Sequence, residues 1–236
     1  MSAVLVINVI QSTASPTQAR HSQRFFKTSE GEYGFGDIFL GVTVPQIRKI
    51  AKEYKDLTLP QIDKLMASKF HEVRFCGLVI LTLQFKSSSE SIVHKKIFDF
   101  YLKQVKAERV NNWDLVDVSA PIIGQYLIGS GSSNQLLLKL AGSKSLWQRR
   151  VAIVFTFAFI REAIPQPTLL IAQELIRDEQ DLIHKATGWM LREMGKRNPI
   201  ELRRFLEKNV SVMPRTMLRY AIEKFSETER KKWLAK

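Results

Sequence analysis

The 236-residue chain carries 36 Lys and Arg against 23 Asp and Glu, a net charge of +13, and 45% of it is apolar. That composition suffices for a substantial core in one domain over 1–236, and the charge points to a polyanionic partner, nucleic acid before an anionic membrane surface. The single cysteine, Cys76, excludes an internal disulfide framework and a cysteine-rich zinc module; the four histidines, His21, His71, His94 and His184, include no pair at ligand spacing on a helix face, so no metal or other cofactor is expected.

Residues 1–10 are apolar but lack the basic lead of a signal peptide, and read as an amphipathic helix, or a strand, packed on the body. No run approaches the roughly 18 apolar residues of a membrane span, so an intracellular, cytoplasmic protein without a membrane partner is expected. Thr43-Val44-Pro45 marks a break. Leu59–Met66 then predicts a short helix, followed by a longer apolar one from about His71, with Leu78, Leu81 and Phe85 on one face after Val73. Further breaks fall at Ser87-Ser88-Ser89, at 129–133 and at Asn198-Pro199. The short-then-long helix pair recurs at 134–163, 168–196 and 200–225, and the tail Arg230-Lys231-Lys232-Trp233 caps the array. Strand alternation is nearly absent. A helix pair recurring about every thirty-odd residues predicts an all-α fold, a curved α-solenoid of HEAT-like helical repeats with a concave basic groove.

The long helices share a register. Arg74, Arg149 and Lys185 each stand three residues before a small one, Gly77, Ala152 and Gly188. The small residue admits a closely packed helix, and the basic residue is placed at the groove rim to meet phosphate, with Arg24, Arg48, Arg150 and Arg219 extending the ladder. One helix breaks the pattern: Asn111-Asn112-Trp113-Asp114-Leu115-Val116-Asp117 carries carboxylates and a tryptophan. Trp113 and Asp117, four apart, share a helix face, while Asp114 points elsewhere and serves the helix N-terminus. An acidic group in a basic groove serves either an ion pair with Arg149 or Arg150, or stabilisation of a cation that develops on the substrate. Trp189 follows Lys185 by four, so an aromatic and a cation share a face suited to nucleotides.

These runs, together with Phe39-Leu40-Gly41-Val42, Pro45, Arg48, His71-Glu72-Val73-Arg74, Trp147-Gln148-Arg149-Arg150-Val151-Ala152 and Lys185-Ala186-Thr187-Gly188-Trp189-Met190-Leu191-Arg192-Glu193, resemble the AlkD-type DNA alkylation repair glycosylases, in the same order over about 24–225. The resemblance implies excision of N3- and N7-alkylated purines from duplex DNA without swinging the base into a pocket. It also implies that Asp117 is the catalytic aspartate, that Trp113 and Trp189 line the cleft, and that Arg150 contacts DNA. Phe25 stands where some members have a tyrosine, which removes a hydroxyl contact. The chemistry is consistent: an alkylated purine is already cationic and leaves without a general acid, so a carboxylate that stabilises the oxocarbenium-like sugar and orients water suffices. The expected protein is a monomeric, monofunctional glycosylase acting on double-stranded DNA. Two other readings use the same scaffold, a non-catalytic binder of DNA structure and a HEAT-type protein adaptor.

Overall fold

The computed structural model describes residues 1–236. It contains fifteen α-helices and one 3-10 turn, and the sole β contact is an isolated bridge between Ile38 and Phe70. The chain divides into two compact units, Met1–Ile123 and Gly124–Lys236.

The first unit holds α1 (Ala3–Ser12), α2 (Pro16–Phe25), α3 (Val44–Glu53), α4 (Leu59–Met66), α5 (His71–Ser87), α6 (Ser91–Lys106) and α7 (Trp113–Ile123). The apolar start is a helix: Ala3, Val6 and Ile10 fall on one buried stripe against α3, α4 and α5. Proline in the first turn, where its missing N–H is no loss, starts α2, α3 and α4, and the Gln46 side chain accepts the Thr43 N–H at 2.9 Å ahead of α3. Helix α5 is the centre of the unit. Thirteen of its seventeen residues are buried, because α3, α4 and α7 pack around it, and Gly77 admits α4: a Cβ there would lie 3.2 Å from the Met66 sulfur.

Glu72, on the first turn of α5, is buried and accepts the backbone N–H groups of Leu40 (3.0 Å), Gly41 (2.7 Å) and Val42 (3.4 Å). Gly41 is required there twice over. Its φ is +78°, and a Cβ would come within 2.2 Å of the Ser15 carbonyl oxygen and 2.4 Å of the Ala19 nitrogen. The Phe39–Val42 stretch is thereby pinned between the start of α2 and the start of α5.

The second unit opens on the 3-10 turn Gly124–Leu127 and continues through α8 (Ser133–Ala141), α9 (Leu146–Phe155), α10 (Phe157–Arg161), α11 (Gln166–Glu174), α12 (Asp181–Arg197), α13 (Pro199–Asn209), α14 (Arg215–Ala221) and α15 (Glu227–Leu234). Two of the repeated pairs differ from the expected short-then-long form. In 134–163 the long helix is cut at Thr156, whose hydroxyl donates to the Ile153 carbonyl at 2.7 Å. In 200–225 the order is reversed: α13 has eleven residues and α14 seven. Helix α12 is the centre of this unit, against α9, α13 and α14. Gly188 makes the α14 contact possible, since a Cβ there would meet the Met217 carbonyl oxygen and Tyr220 Cβ at 2.5 Å. No helix is long and apolar enough to cross a membrane.

Candidate functional site

Asn112 sets the start of α7. Its side-chain oxygen accepts the Trp113 N–H at 2.9 Å, and its amide donates to Asp37 at 3.1 Å. From that start Trp113, Asp114 and Asp117 follow on α7, and all three line one cavity of about 790 Å³ within the first unit. Phe25, Phe26 and Arg48 line it too, from α2, the residue that follows α2, and α3. Trp113 and Asp117 are half-buried, while Phe25 and Arg48 are exposed. The Trp113 ring stacks on Phe26 with centroids 5.2 Å apart and planes 19° apart, and Phe25 meets it edge-on at 5.9 Å. The sequence-predicted residues Phe25, Arg48, Trp113 and Asp117 thus come together in one cavity.

Arg74 does not. The ladder reading expects it at a rim, but it is 5% exposed and spent inside the unit: it pairs with Asp37, donates to the Ser68 carbonyl at 2.9 Å and reaches the Asn111 side chain at 3.2 Å. The physical reason is that α5 is enclosed on nearly every face, so a basic residue on its first turn is covered and needs an internal counter-charge. Arg74 therefore serves the interior of the unit and does not stand at a rim where phosphate would meet it.

Of the other ladder residues, Arg24 is exposed on α2 in the first unit, and the rest belong to the second, where Arg219 is exposed on α14. Arg149 pairs with Asp178 at 2.6 Å and donates to the Ser143 and Lys144 carbonyls at 3.0 and 2.9 Å. Arg150 is 5% exposed and donates to the Leu182 carbonyl at 2.6 Å, joining α9 to the first turn of α12. Lys185 is the more open cation, its side chain 43% exposed beside Asp181 at 2.7 Å. Trp189 is half-buried, 6.1 Å from the Phe157 ring. Arg192 and Glu193, in the same run, are structural: Arg192 pairs with Glu223 and Glu193, and Glu193 with Lys196.

Sequence reasoning missed a second layer behind Trp113. The two ring nitrogens of His71 face two carboxylates, Nδ1 to Asp37 at 3.0 Å and Nε2 to Asp114 at 2.8 Å. Asp114 therefore turns to His71 instead of capping the helix. Burial alone would lower the His71 pKa, but the charge and hydrogen bond of Asp114 and then those of Asp37 outweigh it and push it up to about 9. Burial alone would raise the Asp37 pKa, but the His71 hydrogen bond, the Arg74 and His71 charges and the Asn112 amide bring it down to about 2. No local signal exposes this set, because its members lie 34 and 43 residues from His71.

Paired helices that bring a carboxylate and several aromatic rings into one cavity, on a chain of net charge +13, define an α-helical-repeat protein. A family model described as DNA alkylation repair enzyme matches residues 6–225, and the chain belongs to that family. No curated protein matches it. Among solved structures it is similar to a predicted DNA alkylation repair enzyme from Enterococcus faecalis, at 17% identity and a TM-score of 0.69 over 91% of this chain and 98% of that one. It is also similar to AlkD2 from Streptococcus mutans, at 17% identity and a TM-score of 0.55 over 89% and 98%. The family assignment agrees with the motif resemblance, and these neighbours share the all-α helical-repeat fold.

Proposed function

We propose that this DNA alkylation repair family member is a monofunctional glycosylase that hydrolyses the N-glycosidic bond of N3- and N7-alkylated purines in double-stranded DNA. The observation that carries the reading is the presence of Trp113 and Asp117 on one face of α7, half-buried in a cavity shared with Phe25 and Arg48. The alkylated purine departs with the bonding electrons, which neutralise its positive charge. Asp117 stabilises the cationic character left on the deoxyribose and orients the water that adds to C1′. The Trp113 face attracts that partly cationic sugar and excludes bulk water. The lesion is met from its sugar–phosphate side, so the base stays in the duplex. In the second unit the half-buried Trp189 ring offers a further aromatic contact to the duplex and Lys185 holds backbone phosphate; Arg48 does so in the first. Arg149 and Arg150, by contrast, are bonded inside their own unit. The protein acts as a monomer on one duplex, and the route needs no metal, because the leaving group is already activated.

The test is base release from a duplex that contains N7-methylguanine. Asp117→Asn is expected to slow excision by at least about tenfold, some 1.4 kcal/mol, with duplex affinity held or improved. Tight duplex binding by a wild type that releases no base would leave the non-catalytic DNA-structure binder, and release from DNA at very low salt would leave the protein adaptor.

A further inference from the structure

His71 sits where two lines of contact to the Trp113–Asp117 face begin. The first is polar. Its Nε2 holds Asp114, the residue next to Trp113, and its Nδ1 holds Asp37, which also receives the Asn112 amide at the start of α7. The second is a stack of rings. His71 lies 4.4 Å from Phe39 at 24° and 5.1 Å from Phe26; Phe26 in turn stacks on Phe39 at 4.8 Å and on Trp113 at 5.2 Å. Both ring nitrogens face carboxylate oxygens, which only accept, so both nitrogens must donate and the ring is an imidazolium. A cation against aromatic faces is favourable, which ties the stack to the same protonation state.

We propose that His71, as the doubly hydrogen-bonded imidazolium clamped between Asp37 and Asp114, is a positioning residue that holds Trp113 and Asp117 in place for the reaction. Loss of one proton leaves a single donor for two carboxylates. One of the two is then an unpaired buried charge, and the first turn of α7 loses an anchor. The pKa near 9 agrees with the geometry. The charged groups around the ring are Asp37 from the Phe35–Ile38 approach to the Phe39 loop, Asp114 from α7, and Arg74 behind Asp37; Glu72 is turned to the 40–42 amides. His21, Arg48 and Asp117 line the cavity beyond. With His71 protonated, Asp37, Asp114, Arg74 and His71 sum to neutrality. Asp114 keeps its second oxygen, Oδ1, buried without a hydrogen-bond partner, so the His71 bond is its one polar anchor and the clamp cannot be shared out elsewhere.

The proposal rests on the glycosylase reading, and its test has one arm that does not. In that arm the Trp113 indole N–H resonance of the free protein, assigned with Trp113→Phe, is followed from pH 7 to 10.5. It should move with a midpoint near 9, and in Asp37→Asn, which keeps an acceptor but removes a charge and does not line the cavity, the midpoint should fall by about one pH unit. A resonance that stays still, or a midpoint equal in the two proteins, overturns the positioning role whether or not the protein is an enzyme. In the second arm, single-turnover base release by the wild type should show an alkaline limb at the same midpoint. Asp37→Asn should shift that limb down, and His71→Gln should abolish it and slow release about tenfold with duplex affinity within threefold. Should His71→Gln not fold, the limb shift in Asp37→Asn decides. A limb unmoved by Asp37→Asn overturns the proposal. Absence of release by the wild type overturns the glycosylase reading alone, since the resonance arm stands by itself.

Discussion

At the scale of single residues, charge type and charge role separate. Arg74 and Arg48 are both arginines in matched motifs, yet one neutralises Asp37 in the interior and the other stands exposed at the cavity. Arg74→Ala should therefore destabilise the fold by about 3–5 kcal/mol, the usual effect of leaving a buried carboxylate unpaired, with the denaturant midpoint as the measurement. Arg48→Ala should leave the midpoint unchanged and weaken duplex binding. The same array fixes the direction of the pH dependence. His71 is raised in the folded state, so its contribution is full below about 6.5 and is lost as pH rises through about 9. Asp37 is depressed, so its contribution is present above about 4 and is lost as pH falls through about 2. Stability from this array should plateau between roughly pH 4 and 6.5. Urea titrations across pH 2–10 on wild type and Asp37→Asn should differ in both flanks. Identical curves would refute the assignment of the array.

At the scale of elements, what the sequence discloses is what lies close along the chain. Short helices announce themselves by proline in the first turn, as at Pro45, Pro60 and Pro199, and α4 coincides with the predicted Leu59–Met66. The Trp113–Asp117 face is legible for the same reason, since four residues on a helix are neighbours. The Thr156 break is not, because a threonine hydroxyl that bonds back to its own helix leaves the apolar period intact on both sides. Nor is the Asp37–His71–Asp114 array, whose partners are joined only by tertiary packing. The glycines within the resemblance motifs turn out to be packing devices. Gly188→Ala would drive a methyl group against the backbone of α14, at 2.5 Å from the Met217 oxygen, and should lower stability by about 1–3 kcal/mol. The two tryptophans should behave as site rather than core. Trp189 is half-buried, and Trp189→Ala should leave the melting temperature nearly unchanged while excision falls. Trp113→Ala also loses the Phe26 stack, a contact of about 0.5–1.5 kcal/mol beyond area burial, and so should cost more than Trp189→Ala. Both losses should remain below the roughly 3–5 kcal/mol of a fully buried ring. Melting temperatures measured beside single-turnover rates separate the two classes, and a core-sized loss in both variants with full activity in the folded fraction would remove them from the site.

At the scale of the whole molecule, the excess positive charge is unevenly divided. The first unit has sixteen basic and twelve acidic residues, a surplus of +4, and the second has twenty against eleven, a surplus of +9. The candidate catalytic pair, Trp113 and Asp117, lies in the less basic unit, while Arg149, Arg150, Lys185 and Trp189 lie in the more basic one. Chemistry and anion attraction are thus weighted toward different parts of the chain, so they should be separable by mutation. Each phosphate neutralised releases condensed counterions, which makes log affinity fall linearly with log salt at about 0.9 per phosphate contact on duplex DNA. Lys185 is more open than Arg149 and Arg150, its side chain 43% exposed, and its neighbour Asp181 competes with phosphate for it at 2.7 Å. Lys185→Ala should weaken binding alike on damaged and undamaged duplexes and make the slope shallower by about one. Asp181→Asn should act in the opposite direction and tighten both. Asp117→Asn should leave the slope unchanged while base release falls. Fluorescence anisotropy from 50 to 300 mM salt on paired duplexes, with and without the lesion, reads all three. An effect of Lys185→Ala confined to the damaged duplex would make that lysine a reader of the lesion, and a flat salt dependence in the wild type would remove backbone phosphate from the account of the +13 charge altogether.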